Sequence, residues 1–231
     1  MLDLVVSHYN EDLRWLKKVP EEFRIVLYAK GNELPELSFL ERELTVLQLP
    51  NAGREAHTWM AYLESVAEDP PEGAVLLQGH PFDHCHDAHQ RLKALASGDA
   101  DLPESGFEWW GFIIETDDSM GRRVFVPWSK NEDSRKLDIG KRFEALFRRP
   151  GPARYRFYPG GQFAVSAAAI QRNSRNFYHQ VREMLEADED AAYCLERFWD
   201  FVFGVTAVSD VMMGGKETVY LKKIKRLDAD G

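Results

Sequence analysis

Over its first hundred residues the chain alternates short apolar runs with stretches whose apolar residues recur at helical spacing, and few folds accept that order. Leu2–Ser7, Arg24–Ala29, Thr45–Leu49 and Ala74–Gln78 read as strands, and the first is apolar enough to be covered on both faces. Three stretches read as helices. Asn10–Lys18 carries Leu13, Trp15 and Leu16, Arg54–Glu68 carries Trp59, Tyr62, Leu63 and Val66 on one stripe, and Asp87–Leu95 follows the fourth strand. Parallel strands need long crossovers, so this order predicts a three-layer α/β/α domain with a mostly parallel mixed sheet. Such sheets bind ligands beyond the carboxyl ends of their strands. Four loops fall there: His8–Asp12, Ala29–Asn32, Pro50–Glu55 and Gly79–Asp87.

The pattern changes after the polar link Asp99–Gly106. An aromatic run follows at Phe107–Ile114, then a strand at Arg123–Trp128 and a short helix at Lys141–Phe147. Beyond a loop and strand that end at Ser166, Asn173–Ala187 and Ala191–Phe203 read as helices. The second turns Leu195, Phe198, Trp199 and Val202 inward. The length of 231 residues suits one large domain with its own core.

Charge excludes one class of partner. At a formal −9 and a pI near 5.3 the chain lacks a basic face for nucleic acid, and Lys222, Lys223, Lys225 and Arg226 read as a solvated tail. An anionic nucleotide would therefore be held by a few placed cations, by helix N-termini or by a metal. Two cysteines, Cys85 and Cys194, make no disulfide framework. The start MLDLVVSHYNEDL has no signal-peptide pattern, and no apolar stretch approaches the roughly 18 residues of a membrane span. A cytoplasmic protein is the expectation.

Four segments carry candidate chemistry. Asn51-Ala52-Gly53-Arg54-Glu55-Ala56-His57 opens a helix after a strand, where free N–H groups and the Arg54 fork favour an anion; it is equally an ordinary capped helix start. Gln78–Asp87 packs His80, His84 and His86 with Asp83 and Asp87 into one loop. There His80, Asp83 and His84 could hold a divalent metal, or the loop is merely polar and Asp83 caps the next helix. Cys85 reads as a bystander. Gly160-Gly161-Gln162 either lets backbone lie against a flat ligand or is a simple turn. Glu196-Arg197, among Tyr193, Phe198 and Trp199, offers a desolvated general base or a structural ion pair. Asn10, Glu11 and Asp12 follow the first strand as ligand contacts or caps.

In order, VVSHYNEDLRWL, NAGREAHTWMAYL, VLLQGHPFDH, GGQFAVSAAAI and CLERFWDFVFG resemble a domain-of-unknown-function family of fungi and bacteria, over residues 4 to 204. More distantly, the same order resembles the GT-A glycosyltransferases. That resemblance implies a single GT-A-like domain in which residues 1–98 bind a nucleotide-sugar and residues 99–231 bind a small-molecule or glycan acceptor. It places Asn10, Asn51, Gly53, Arg54, Glu55, His57 and Gln78 on the donor. Gly160, Gly161, Gln162 and Arg197 fall on the acceptor side, with Glu196 as base. Gln78-Gly79-His80 stands where the family has its Asp-x-Asp metal motif, so manganese or magnesium would rely on His80, Asp83 and His84, or Arg54 would balance the diphosphate without metal. His80 and Asp83 would in either case face the diphosphate as catalytic groups. Two rivals use the same residues. One is a zinc-dependent hydrolase on His80, Asp83, His84 and His86; the other is a non-catalytic carbohydrate- or partner-binding module.

Overall fold

The first strand, β1 (Leu2–His8), lies inside a six-stranded sheet in the computed structural model, which describes residues 1–122 and 137–221. Its neighbours β2 (Phe23–Ala29) and β4 (Gly73–Gln78) both run parallel to it, with Val5 opposite Val26 on one side and Leu76 on the other. The parallel edge strand β3 (Thr45–Gln48) continues the sheet beyond β2. On the far side of β4 come β8 (Phe163–Ser166) and then β5 (Phe107–Trp109), both in antiparallel pairings. The sheet is thus mostly parallel, as the alternating pattern predicts, and its last two strands come from the second half of the chain.

Period-two alternation sends each strand's side chains to two cores. Val5, Val26, Tyr28 and Leu76 join one cluster with α1 (Arg54–Val66) and α5 (Arg175–Ala187). Leu4, Val6, Leu27 and Leu77 join the other with a 3₁₀ turn at Arg14–Lys18 and α2 (Ala88–Ser97). A second, antiparallel sheet has the order β7 (Arg154–Phe157), β6 (Ile113–Asp118), β9 (Thr218–Tyr220). Its Ile114, Tyr155 and Phe157 extend the first cluster, together with α3 (Ile139–Phe147), α4 (Ala167–Ile170), α6 (Ala191–Leu195), α7 (Trp199–Val202) and α8 (Asp210–Met213). Among the described residues no helix is long and apolar enough to cross a membrane. Cys85 and Cys194 are buried and unpaired, and burial pushes both thiols up, the second to about 12, so neither is poised to react.

Two expected helices come out differently. Asn10–Lys18 shrinks to a five-residue 3₁₀ turn, and side-chain bonds to the backbone hold the residues before it in a non-helical turn. Asp12 accepts from Arg14 N at 2.9 Å, and Glu11 accepts from Tyr9 N at 2.8 Å and Asn10 N at 3.2 Å. Ala191–Phe203 divides into α6 and α7 around Glu196-Arg197. The aromatic run Phe107–Ile114 holds the whole of β5 and the start of β6. The expected strand at Arg123–Trp128 and the basic run from Lys222 to Arg226 lie outside the described residues.

Asp200, in α7, is only 4% exposed and accepts from Phe201 N at 2.9 Å and Ala207 N at 3.5 Å. Burial outweighs those bonds and pushes its carboxyl up to about 7. Its folded-state pKa is raised above the unfolded value, so its stabilising contribution is complete below pH about 4 and is lost as pH rises through about 7. Urea midpoints at pH 5 and pH 8 should therefore differ less for Asp200→Asn than for the parent. An equal difference in both proteins would refute this.

Candidate functional site

The turn from β3 into α1 puts two successive residues in the left-handed region, Gly53 at φ 55° and Arg54 at φ 51°. Gly53 suits this doubly, since a Cβ there would sit 2.8 Å from Leu185 Cβ. Arg54 pays a conformational penalty of about 1 kcal/mol or more, which its surroundings must hold in place. Lys30, just past β2 and only 5% exposed, supplies part of that hold by donating through Nζ to the carbonyls of Ala52 and Arg54. Burial pushes its ammonium down to about 8, against the attraction of Glu55. The Arg54 guanidinium lies 5.3 Å from the Tyr193 ring centre and 3.7 Å from a Glu55 oxygen. Burial pushes the Glu55 carboxyl up; Arg54 opposes the shift and the nearby Glu196 adds to it.

Glu196 is placed by a chain of contacts that starts in the second sheet. Asp117 on β6 is 1% exposed and receives Arg197 Nε and Nη2, each at 3.2 Å. Phe157 on β7 covers the guanidinium at 4.0 Å, and the Tyr193 carbonyl takes Nη1 at 2.9 Å. The same Nη1 donates to Glu196 Oε2, while Glu196 Oε1 accepts from Gly160 N at 2.7 Å. Gly160 has φ 93°, and a Cβ on it would meet His84 Cγ at 2.5 Å. Gly161 follows at φ 57°, between Trp199 Nε1 and Glu55, with its carbonyl accepting from Trp59 Nε1 at 3.0 Å. Burial pushes His84 down, Glu196 and Asp83 oppose the shift, and Arg54 reinforces it. Residues from both halves of the chain, Lys30, Arg54, Glu55 and His84 on one side and Gly160, Gly161 and Glu196 on the other, thus face one another.

Beside this cluster, past the ends of β1 and β2, opens a cleft of about 660 Å³ lined by His8, Asn10, Glu11, Asn32, Glu33 and Glu36 among others. Its wall is tight against β4. A Cβ on Gly79 would lie 2.4 Å from Glu11 Oε2, and the Gly79 carbonyl accepts from Trp15 Nε1 at 2.8 Å. Glycine at 79 is what lets the first and fourth loops touch.

The expected residues sort into three groups. Arg54, Glu55, Gly160, Gly161 and Glu196 come together with His84, and Arg197 stands behind Glu196. Asn10 lines the cleft, while Asn51, His80 and Asp83 are exposed and are not among its lining residues. His57 and Gln162 are buried and engaged within the fold. His57 is fully buried against Glu186 at 2.8 Å, and Gln162, also fully buried, bonds Gln78 N at 3.0 Å and the Pro81 carbonyl at 3.1 Å. Gln78 is therefore engaged through its backbone.

The histidine loop does not close as a chelate. His80 Nδ1 and Asp83 Oδ2 approach to 3.5 Å, but His84 turns its ring under Gly160 and His86 stacks on Phe112 at 3.9 Å. Among the described residues no group of three potential metal ligands assembles. Asp83 does not cap α2, which begins after Asp87. Lys30, Asp117 and Tyr193 were not singled out by sequence as site residues. Only Lys30 carried a signal, as the one cation in the Ala29–Asn32 loop.

A family model described as "Protein of unknown function (DUF3431)" matches residues 4–214. No curated protein matches. Among solved structures, the galactosyltransferase LgtC in complex with donor and acceptor sugar analogues is similar at 9% identity and a TM-score of 0.40, over 95% of this chain and 86% of that one.

Proposed function

Because the chain belongs to the DUF3431 family, whose function is unknown, its chemistry has to be argued from the site, and we propose that it transfers a sugar from a nucleotide-activated donor to an acceptor hydroxyl. The observation that supports this is the convergence of four strand-end loops on one rim, with a nucleoside-sized cleft beside a cluster of cations and carboxylates. The nucleoside lies in the cleft past β1 and β2. The diphosphate points toward the half-exposed Arg54 guanidinium and the N–H groups that open α1, with Lys30 buried behind that turn.

In the reaction the acceptor oxygen bonds to the anomeric carbon as the bond from that carbon to the diphosphate oxygen breaks. The hydroxyl proton goes to a carboxylate, and the electron pair leaves on the diphosphate. Glu55 is the better base, because burial raises its proton affinity while both oxygens of Glu196 already accept hydrogen bonds. Glu196 then shapes the acceptor side through Gly160. Stabilising charge on the leaving diphosphate falls to Arg54, with the buried Lys30 charge behind it. His80 and Asp83 by themselves make an incomplete ligand set for a resident divalent ion.

The test is release of free nucleoside diphosphate from a panel of nucleotide-sugars, with and without manganese. Glu55→Gln should lower the rate by at least about a hundredfold while nucleoside diphosphate still binds. If no nucleoside diphosphate binds at millimolar concentration, the transferase reading falls.

A further inference from the structure

We infer that His84 reads the hydroxyl groups of an uncharged transferred sugar, an inference that rests on the transferase reading above and deepens it. Six of the seven histidines have side-chain partners within the fold. His8, His86 and His89 contact the carbonyls of Glu11, Phe82 and Trp15 at 3.1, 2.8 and 3.1 Å. His57, His80 and His179 face the carboxylates of Glu186, Asp83 and Glu64 at 2.8, 3.5 and 3.0 Å. The His84 side chain alone has neither a hydrogen bond nor an ion pair among the described residues, and its ring nitrogens are not sealed from solvent. A half-buried imidazole with both nitrogens open is equipped for a ligand rather than for the fold.

The ring is also fixed before a ligand arrives. The 3₁₀ turn Pro81–Asp83 ends at His84, whose backbone N–H donates to the Pro81 carbonyl at 3.2 Å. The buried Gln162 amide donates to the same carbonyl at 3.1 Å and ties the turn to Gly160-Gly161 just before it in sequence. On this frame the ring rests against Gly160, where a Cβ would meet its Cγ at 2.5 Å. Gly160 N holds Glu196 at 2.7 Å, and a Cβ on Gly161 would lie 3.8 Å from Glu55 Oε1. The two glycines thus span from His84 to the proposed base, and Arg54 lies within electrostatic reach of both. A sugar held between the diphosphate at Arg54 and an acceptor beside Glu196 passes this ring.

The chemistry of the ring selects hydroxyl groups. Burial keeps the imidazole uncharged at neutral pH against the pull of Glu196 and Asp83, so it offers one N–H donor and one acceptor nitrogen. A hydroxyl group answers either nitrogen, because it both donates and accepts. Phosphate oxygens answer only the N–H. A carboxylate on the sugar would be repelled by Glu55, Glu196 and Asp83.

Isothermal titration of the full chain with uridine, guanosine and thymidine diphosphates, and with their glucose conjugates, tests this. His84→Phe keeps a flat ring against Gly160 and removes both nitrogens. It should weaken the conjugate that binds the parent by at least about tenfold and leave the matching diphosphate within about twofold. His84→Gln, which returns a donor and an acceptor, should recover the conjugate to within about threefold of the parent. Where circular dichroism shows that His84→Phe does not fold, His84→Leu carries the same comparison. Equal loss for diphosphate and conjugate would put His84 on the phosphates. No loss for either, no recovery with glutamine, or a parent that binds diphosphates and no conjugate would leave His84 without a sugar. Each of these overturns the inference and leaves the transferase reading standing. Absence of binding by every diphosphate at millimolar concentration overturns that reading, and this inference with it.

Discussion

Truncating Asp117 to alanine is expected to lower the unfolding free energy by about 3–5 kcal/mol, read from urea denaturation at neutral pH. The cost comes from what is left behind. Arg197 is nearly as buried as its partner, with side-chain exposures of 4% and 0%, so the variant leaves Nε and Nη2 of a buried guanidinium without their carboxylate while Nη1 keeps Glu196 and the Tyr193 carbonyl. Folded domains are stable by only about 5–15 kcal/mol, so this single change removes a large share. Replacing both partners, as Asp117→Leu with Arg197→Met, should restore much of the loss, because two apolar groups need no partner. The double variant nevertheless leaves Glu196 without the Arg197 contact that orients it, and donor turnover should stay low. Were the single and double variants equally unstable, the pair would not be the source of the cost.

Gly160→Ala is expected to lower donor turnover by at least about a hundredfold while leaving the far-ultraviolet circular dichroism unchanged. The new methyl would lie 2.5, 2.6 and 2.9 Å from Cγ, Cδ2 and Cβ of His84. The last of these is next to the His84 backbone, so ring rotation alone cannot clear the clash. At φ 93° the backbone also disfavours any side chain, at a cost of about 1–3 kcal/mol. Relief would move either the loop after β4 or the Gly160 N–H that holds Glu196, and both belong to the proposed site. Turnover within about threefold of the parent would remove Gly160 and His84 from that site.

The first half was legible because its strands are covered on both faces. Leu4, Val5 and Val6 go to alternating cores, and a run of that kind has few other uses. The stretch after β1 misled because Leu13, Trp15 and Leu16 keep helical spacing although the Asp12 carboxylate takes the Arg14 N–H and Glu11 ties the N–H groups of Tyr9 and Asn10 into a turn. Hydrophobic period reports where side chains are buried, not which N–H groups remain available. The site was legible as a set of loops and less so as a set of roles. Glu55 and Arg54 stood out beside Gly53, yet the burial that distinguishes Glu55 comes from residues more than a hundred positions away, such as Gly161. Asp117 was invisible for the same reason, since nothing near it in sequence announces Arg197. His57 and Gln162 looked like ligand groups because polar residues in a motif do, and only their neighbours reveal that they satisfy Glu186, Gln78 and Pro81.

The return of β8 beside β4 has a consequence for how the protein can be taken apart. The strand that pairs with the far side of β4 is supplied after residue 160, so a fragment ending near residue 98 would keep β4 with one naked flank from Gly73 to Leu76. Bare flanks of this kind recruit strands from other copies. Donor and acceptor sides, though proposed as separate tasks, are therefore sewn through a shared seam and cannot be swapped between proteins as cassettes.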